Sequence, residues 1–268
     1  MSSIDRQGAR IAFDVRGEGP PVILGHSFLC SGAMWSHQVE PLSRHFTVIN
    51  VDFRGHGASG PVAEPFTLYD LVDDLVAVLD TLGIERAAWA GLSIGGMVAM
   101  RAALAARDRV SALALLDTHA GPERPFKKLK YRVLGLGAKL VGVRPFLPAI
   151  LPIMFGRTTR EVKPELVREW GARFARLDVP SLLRVLGALN RRDSVVDRLP
   201  EIDVPALVIV GEEDSALPPS FSAQLAAGLG NATLVTVPGA GHLAALEQPE
   251  AVTAAMLEFL GGLDAPAS

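Results

Sequence analysis

Ala90-Gly91-Leu92-Ser93-Ile94-Gly95-Gly96 is the stretch on which the reading of this chain turns. An apolar run, residues 87–90, leads into it, and a run with helical spacing, residues 97–106, leads out. Ser93 therefore sits where a strand ends and a helix begins. So sharp a turn strains the backbone of its central residue and brings strand and helix so close that only glycine fits two positions before and two after. Gly91 and Gly95 stand at those positions. The turn would lift the Ser93 hydroxyl out of the sheet, with the unpaired N–H groups of a helix N-terminus behind it. A nucleophile elbow is one reading; a glycine-rich turn with an incidental serine is the other. The surroundings have to decide between them.

Working outward, apolar runs alternate with helical spacing on both sides of the turn. Residues 3–16 read as an antiparallel hairpin around Gln7-Gly8, and residues 21–25 and 46–51 are continuous apolar strands with a helical segment, 34–42, between them. A helix over 67–82, the strand into Ser93, a helix over 95–106 and a strand over 110–116 follow. Strands alternating with helices predict an α/β fold: a mostly parallel twisted sheet flanked by helices, which binds ligands beyond the carboxyl ends of its strands. At Asp117 the alternation stops. Residues 121–200 contain seven prolines between Gly121 and the closing Pro200 and no convincing strand, with helical amphipathicity at 165–176 and 181–191. They read as a helical cap inserted after the sixth strand, so that residues 1–120 and 201–268 form the core and 121–200 the cap. Within the cap, residues 141–155 are apolar but broken by three prolines and Arg144. This is no membrane span; packing over a pocket mouth is expected, with shallow membrane contact as the lesser option. The alternation resumes with a strand over 206–210, a helix over 221–229, a strand over 232–237 and a last helix opened by Pro249. The tail after Gly261 is expected to fray.

Composition narrows the class further. With 49% hydrophobic and 21% charged residues the chain is an ordinary folding sequence, not a disordered one. Its single cysteine, Cys30, rules out an internal disulfide or a thiolate metal cluster, and with no basic neighbour in sequence it reads as a packed, inert thiol. The opening Met1-Ser2-Ser3-Ile4-Asp5-Arg6 lacks the apolar core of a secretory signal, so a cytoplasmic location is expected. Charge is unevenly spread. Residues 121–200 hold 17 Lys and Arg against 7 Asp and Glu, leaving 9 basic and 22 acidic residues for the rest of the chain, and none of the basic ones lies beyond residue 200. The excess could steer an anionic ligand, meet an anionic surface, pair with the acidic body or simply face water.

Three strand ends carry, in chain order, Ser93, Asp214 and His242. A serine hydroxyl needs a base as it attacks, imidazole titrates close to neutral pH, and a carboxylate on the far ring nitrogen fixes the tautomer and stabilises the imidazolium. His26 and His119 also follow strands and rival His242, which alone comes after the carboxylate on a glycine-rich loop. Asp117, at the end of the sixth strand, rivals Asp214. An oxyanion would need two donors, for which the backbone N–H groups of Ile94 and of Phe28, on the loop after residues 21–25, are the candidates. His26 and Ser27 on that loop are candidate substrate-binding residues.

These motifs, Gly25-His26-Ser27-Phe28, Asp52-Phe53-Arg54-Gly55-His56-Gly57-Ala58-Ser59, the turn at Ser93, Gly211-Glu212-Glu213-Asp214 and Gly239-Ala240-Gly241-His242, resemble the α/β-hydrolase superfamily. The likeness is greatest to its small bacterial esterases, enol-lactone hydrolases and cofactor-free haloperoxidase-like perhydrolases, and weakest over 121–200. It implies a serine hydrolase with a Ser93-His242-Asp214 triad, no cofactor and no metal, acting on a small-molecule ester or lactone. Carbon–carbon bond hydrolysis and perhydrolysis use the same residues, and some relatives are small-molecule receptors. An anionic end on the substrate, held by a cap Arg or Lys, is a further option. Neither nucleic acid nor stable membrane insertion is expected. Relatives commonly carry His-Gly where this chain has His26-Ser27. By the same resemblance, residues 54–59 shape the loop beside the pocket without taking part in chemistry.

Overall fold

The computed structural model describes residues 1–123 and 125–263. Eight strands form one sheet: β1 (Ser2–Arg6), β2 (Ala9–Arg16), β3 (Pro21–Gly25), β4 (Thr47–Val51), β5 (Ala87–Leu92), β6 (Val110–Leu116), β7 (Ala206–Gly211) and β8 (Ala232–Val237). Their order across the sheet is β1-β2-β4-β3-β5-β6-β7-β8, with β2 antiparallel to both of its neighbours, β1 and β4, and every later pair parallel. The opening hairpin turns at Gln7 and Gly8, both at positive φ as a tight two-residue hairpin requires. The helices, in chain order, are α1 (Ser36–Ser43), α2 (Leu68–Thr81), α3 (Ile94–Ala105), α4 (Pro125–Val141), α5 (Leu147–Met154), α6 (Arg157–Val162), α7 (Pro164–Phe174), α8 (Val179–Arg191), α9 (Pro219–Gly228), α10 (Ala244–Glu247) and α11 (Pro249–Gly262).

The continuous apolar strands are explained by cover on both faces. Successive residues of β3 point into different layers: Ile23 packs with α2 and α3, while Val22 and Leu24 pack with Met34, Trp35 and α11. Because β3 lies between β4 and β5, the chain leaves it toward one edge and returns on its other side. The crevice beyond the carboxyl ends of β3 and β5 is thus a topological switch point, the favoured ligand position in such sheets. Ser93 follows β5 directly.

The alternating elements fall where periodicity placed them, from the hairpin to α11. The insertion between β6 and β7 is helical, α4 to α8, with no strand among its described residues. Amphipathicity located α7 and α8, and the proline-broken stretch folds as α5, with Pro148 in its first turn where a missing N–H costs nothing. Periodicity marks neither the long helix α4 nor the short α6 and α10. Residues 264–268, in the tail expected to fray, lie outside the described residues. Among the described residues no helix is long and apolar enough to cross a membrane.

Candidate active site

Ser93 has φ 56° and ψ −112°, a conformation no ordinary side chain adopts without strain. Close approach explains its flanking glycines: a Cβ on Gly91 would overlap the backbone of Gly95, and one on Gly95 would overlap the carbonyl of Gly25. The turn is held from β6, because the Ser93 N–H donates to the Leu116 carbonyl at 2.8 Å and the Thr118 hydroxyl to the Ser93 carbonyl at 2.7 Å.

Loops after β7 and β8 bring two partners to this serine. His242 Nε2 lies 3.0 Å from Ser93 Oγ, and His242 Nδ1 lies 2.9 Å from Asp214 Oδ2. A carboxylate only accepts, so Nδ1 carries the proton and Nε2 accepts from the serine hydroxyl. The other oxygen, Asp214 Oδ1, accepts the N–H groups of Ala216 at 2.8 Å and Leu217 at 2.9 Å, which fixes the carboxylate plane. All three residues are buried. Such a chain can take the serine proton onto the imidazole and stabilise the resulting charge.

The remaining candidates are placed as follows. Asp117 does not reach His242: its Oδ1 accepts the Gly211 N–H at 2.8 Å, and its Oδ2 lies 3.4 Å from the Ala244 N–H. Burial, and then the nearby Asp214 charge, push its carboxyl well above the ordinary range. His26 is fully buried and takes no part in the cavity wall. Its Nδ1–H donates to the Ser27 carbonyl at 2.8 Å and its Nε2 accepts the Phe53 N–H at 2.9 Å, so it shapes the loop from behind. Desolvation lowers its pKa to about 4, and that of neighbouring His56 to about 3, so both rings are neutral near pH 7. Ser27 and Phe28 do face the cavity, and the Phe28 N–H makes no hydrogen bond among the described residues. The Ile94 N–H heads α3, where no intrahelical acceptor exists. His119 contacts Arg192, not the serine. Cys30 is buried, and burial pushes its thiol up. Among the described residues no three His, Cys, Asp or Glu side chains gather in a way that could hold a metal ion.

Two carboxylates join the insertion to the loops carrying Asp214 and His242: Glu247, which no sequence motif marks, and Glu213, which in sequence only crowds Asp214. Glu247 is fully buried, and its oxygens accept the N–H of Gly156, before α6, at 2.8 Å and the N–H of Leu243, next to His242, at 3.0 Å. Burial raises its pKa against the pull of those donors. Glu213, next to Asp214, accepts from the Thr158 N–H at 2.8 Å and the Thr158 hydroxyl at 2.6 Å. Between them Gly156 and Gly241 touch backbone to backbone, so that a Cβ on Gly241 would overlap Gly156. The available signal was a lone glutamate closing the apolar run Leu243-Ala244-Ala245-Leu246, five residues after His242.

Ser93 and His242 open onto a cavity of about 250 Å³ whose wall is almost wholly apolar, drawn largely from α4, α5, α8 and the segment between α4 and α5: Leu134, Ala138, Phe146, Ile150, Leu182 and Leu186 among others. Among the described residues the one cation in that wall is Arg192, whose guanidinium donates to the carbonyls of Gly121 and Leu189 and pairs with Glu123.

A family model described as "Alpha/beta hydrolase family" matches residues 22–255. The chain is 31% identical to a thermophilic esterase from Thermogutta terrifontis, with a TM-score of 0.92 over 98% of this chain and 97% of the other. It is 30% identical to the enol-lactonase of Burkholderia xenovorans LB400, with a TM-score of 0.90 over 97% and 100%. With the AB hydrolase superfamily protein YisY of Bacillus subtilis it shares 30% identity over 253 residues, 91% of this chain and 92% of that one.

Proposed function

The chain belongs to the alpha/beta hydrolase family, and from that premise we propose that it is a serine hydrolase cleaving an ester or lactone of an uncharged, apolar small molecule. The observation that carries the reading is the hydrogen-bonded chain Ser93-His242-Asp214 at the floor of an apolar cavity. Ser93 Oγ attacks the ester carbonyl as His242 Nε2 takes its proton; His242 then returns that proton to the leaving alcohol. Asp214 holds the ring and stabilises the imidazolium. The N–H groups of Phe28 and Ile94 hold the oxyanion of the tetrahedral intermediate. Water, activated by the same histidine, releases the acid from the acyl-enzyme and restores Ser93. Residues 121–200 act as the cap, closing leucine, isoleucine and phenylalanine side chains over the acyl or alcohol group. An anionic end finds no support in this wall, since Arg192 is already engaged with Glu123 and two carbonyls. The esterase and enol-lactonase relatives support the same bond class.

The test is Ser93→Ala assayed with aryl esters of increasing acyl length. Turnover should fall by ~10⁶-fold if the three residues act as a unit, and labelling by a fluorophosphonate should disappear with it. Activity that survives the substitution overturns the assignment. A wild-type preference for anionic over neutral esters of matched size would overturn the apolar reading of the substrate.

A further inference from the structure

Helix α4 (Pro125–Val141) has two apolar sides. Leu134, Gly135 and Ala138 line the cavity. Phe126, Leu129, Val133, Leu136 and Leu140 recur every three or four residues, which aligns them along one stripe, and each is 61–87% exposed. A surface helix ordinarily turns polar residues outward, so a five-residue apolar stripe in solvent marks a surface meant to be covered.

Charge identifies what covers it. From residue 124 to residue 160 the chain has nine Lys and Arg and not one Asp or Glu. Lys139, Arg144, Arg157 and Arg160 are exposed, on α4 itself and on the segments that follow it. The spacing of the stripe would also suit a helix pairing with a second copy of itself. Two copies would then bring together eighteen like charges with no acidic partner in either segment, which opposes association. An apolar stripe set in cationic surroundings matches an anionic lipid surface, where the helix lies in the interface plane and basic side chains meet the headgroups. The neighbouring α5 extends the apolar surface: Ala149 and Ile153 are both exposed and both line the cavity, which places them at its mouth.

We propose that the outer face of α4 docks the protein on anionic lipid, seating the mouth of the apolar cavity at the bilayer surface. The docking is independent of the ester reading. Its consequence, that the substrate is one that partitions into lipid and enters from it, rests on that reading.

Vesicle sedimentation tests the docking without any turnover. Wild-type protein should bind vesicles of phosphatidylglycerol mixed into phosphatidylcholine, bind phosphatidylcholine alone far more weakly, and detach as salt shortens the Debye length from ~30 Å at 0.01 M to ~3 Å at 1 M. Leu129→Asp with Leu136→Asp should lower partitioning roughly 100-fold, about a factor of ten for each leucine withdrawn from lipid. Both leucines lie outside the cavity wall, so hydrolysis of a water-soluble aryl ester and the melting temperature should not change. Lys139→Glu with Arg144→Glu should abolish the preference for phosphatidylglycerol. Three results overturn the proposal: no binding to either vesicle, equal binding to both with no salt dependence, or a dimer by analytical ultracentrifugation that the two aspartates dissolve. Loss of ester hydrolysis in Ser93→Ala with vesicle binding intact would separate the two readings.

Discussion

Replacing Glu247 by glutamine should slow acyl transfer while leaving substrate affinity in place. The carboxylate sits between the segment before α6 and the loop of His242, one oxygen on the Gly156 N–H at 2.8 Å and the other on the Leu243 N–H at 3.0 Å. A carboxylate accepts at both ends; an amide accepts at one and turns an NH₂ toward the remaining donor. One buried N–H is left unpaired, at about 1–3 kcal/mol, which lowers the melting temperature by roughly 2–4 °C per kcal/mol in a chain of this size. Leu243 follows His242 directly, so the loosened donor shifts the ring that must lie 3.0 Å from Ser93 Oγ. A misplacement of about 1 Å costs ~10²-fold, and kcat should fall by ~10–100-fold with KM little changed. Glu247 does not line the cavity. Fluorophosphonate labelling, which reports the attack of Ser93 without the ester, should slow in parallel. A second readout follows from the raised carboxyl of Glu247. A group whose pKa is higher in the folded state stabilises most below its unfolded value and loses that contribution as pH rises through the folded one. The melting-temperature gap between wild type and Glu247→Gln should therefore be widest near pH 4 and narrow toward pH 8. A variant that melts earlier but keeps kcat and labelling rate would refute the positioning role.

Asp214→Asn should cost about 10⁴-fold in kcat, because an amide beside Nδ1 admits the wrong tautomer. Asp117→Asn should cost far less, since Asp117 meets backbone N–H groups and not the ring; a reversed ranking would transfer the acid role. The raised pKa of Asp117 means that ionising it weakens the fold, so Asp117→Asn should be better tolerated at pH 8 than at pH 4, read by denaturant titration at the two values. His26 and His56 shift the opposite way, to about 4 and about 3 from 6.5. Their contribution is complete above 6.5 and is lost as pH falls toward those values, so stability should drop across that window with proton uptake approaching two per unfolding event. A flat stability profile between pH 6.5 and 4 would count against their burial as neutral rings.

What could be read from the sequence was whatever is enforced locally. Gly91 and Gly95 announce a close approach because no other residue survives it, and continuous apolar strands separated by amphipathic helices leave few ways to build the sheet. The order Ser93, Asp214, His242 followed from counting strand ends, and the three side chains meet within hydrogen-bond distance. Asp117 could not be set aside from sequence, because it too ends a strand. The side on which it spends its hydrogen bonds depends on how β7 and α10 pack against it.

The insertion resisted for a physical reason that α4 shows plainly. Hydrophobic periodicity locates a buried face on the assumption that the opposite face is polar. On α4 the strongest apolar repeat, Phe126 to Leu140, points to solvent, while the side against the cavity carries Leu134, Gly135 and Ala138, a weak signal. Net charge left its options open for a related reason. The excess over 121–200 is compatible with an anionic ligand, an anionic surface, the acidic body or water; Lys139, Arg144, Arg157 and Arg160 are exposed, and the cavity wall is almost wholly apolar. A count of charges carries no direction, and direction is what separates a binding pocket from a docking surface. One helix here bounds both, so substitutions on its two sides should separate: Ala138 toward ester selectivity, Leu129 and Leu136 toward the lipid surface.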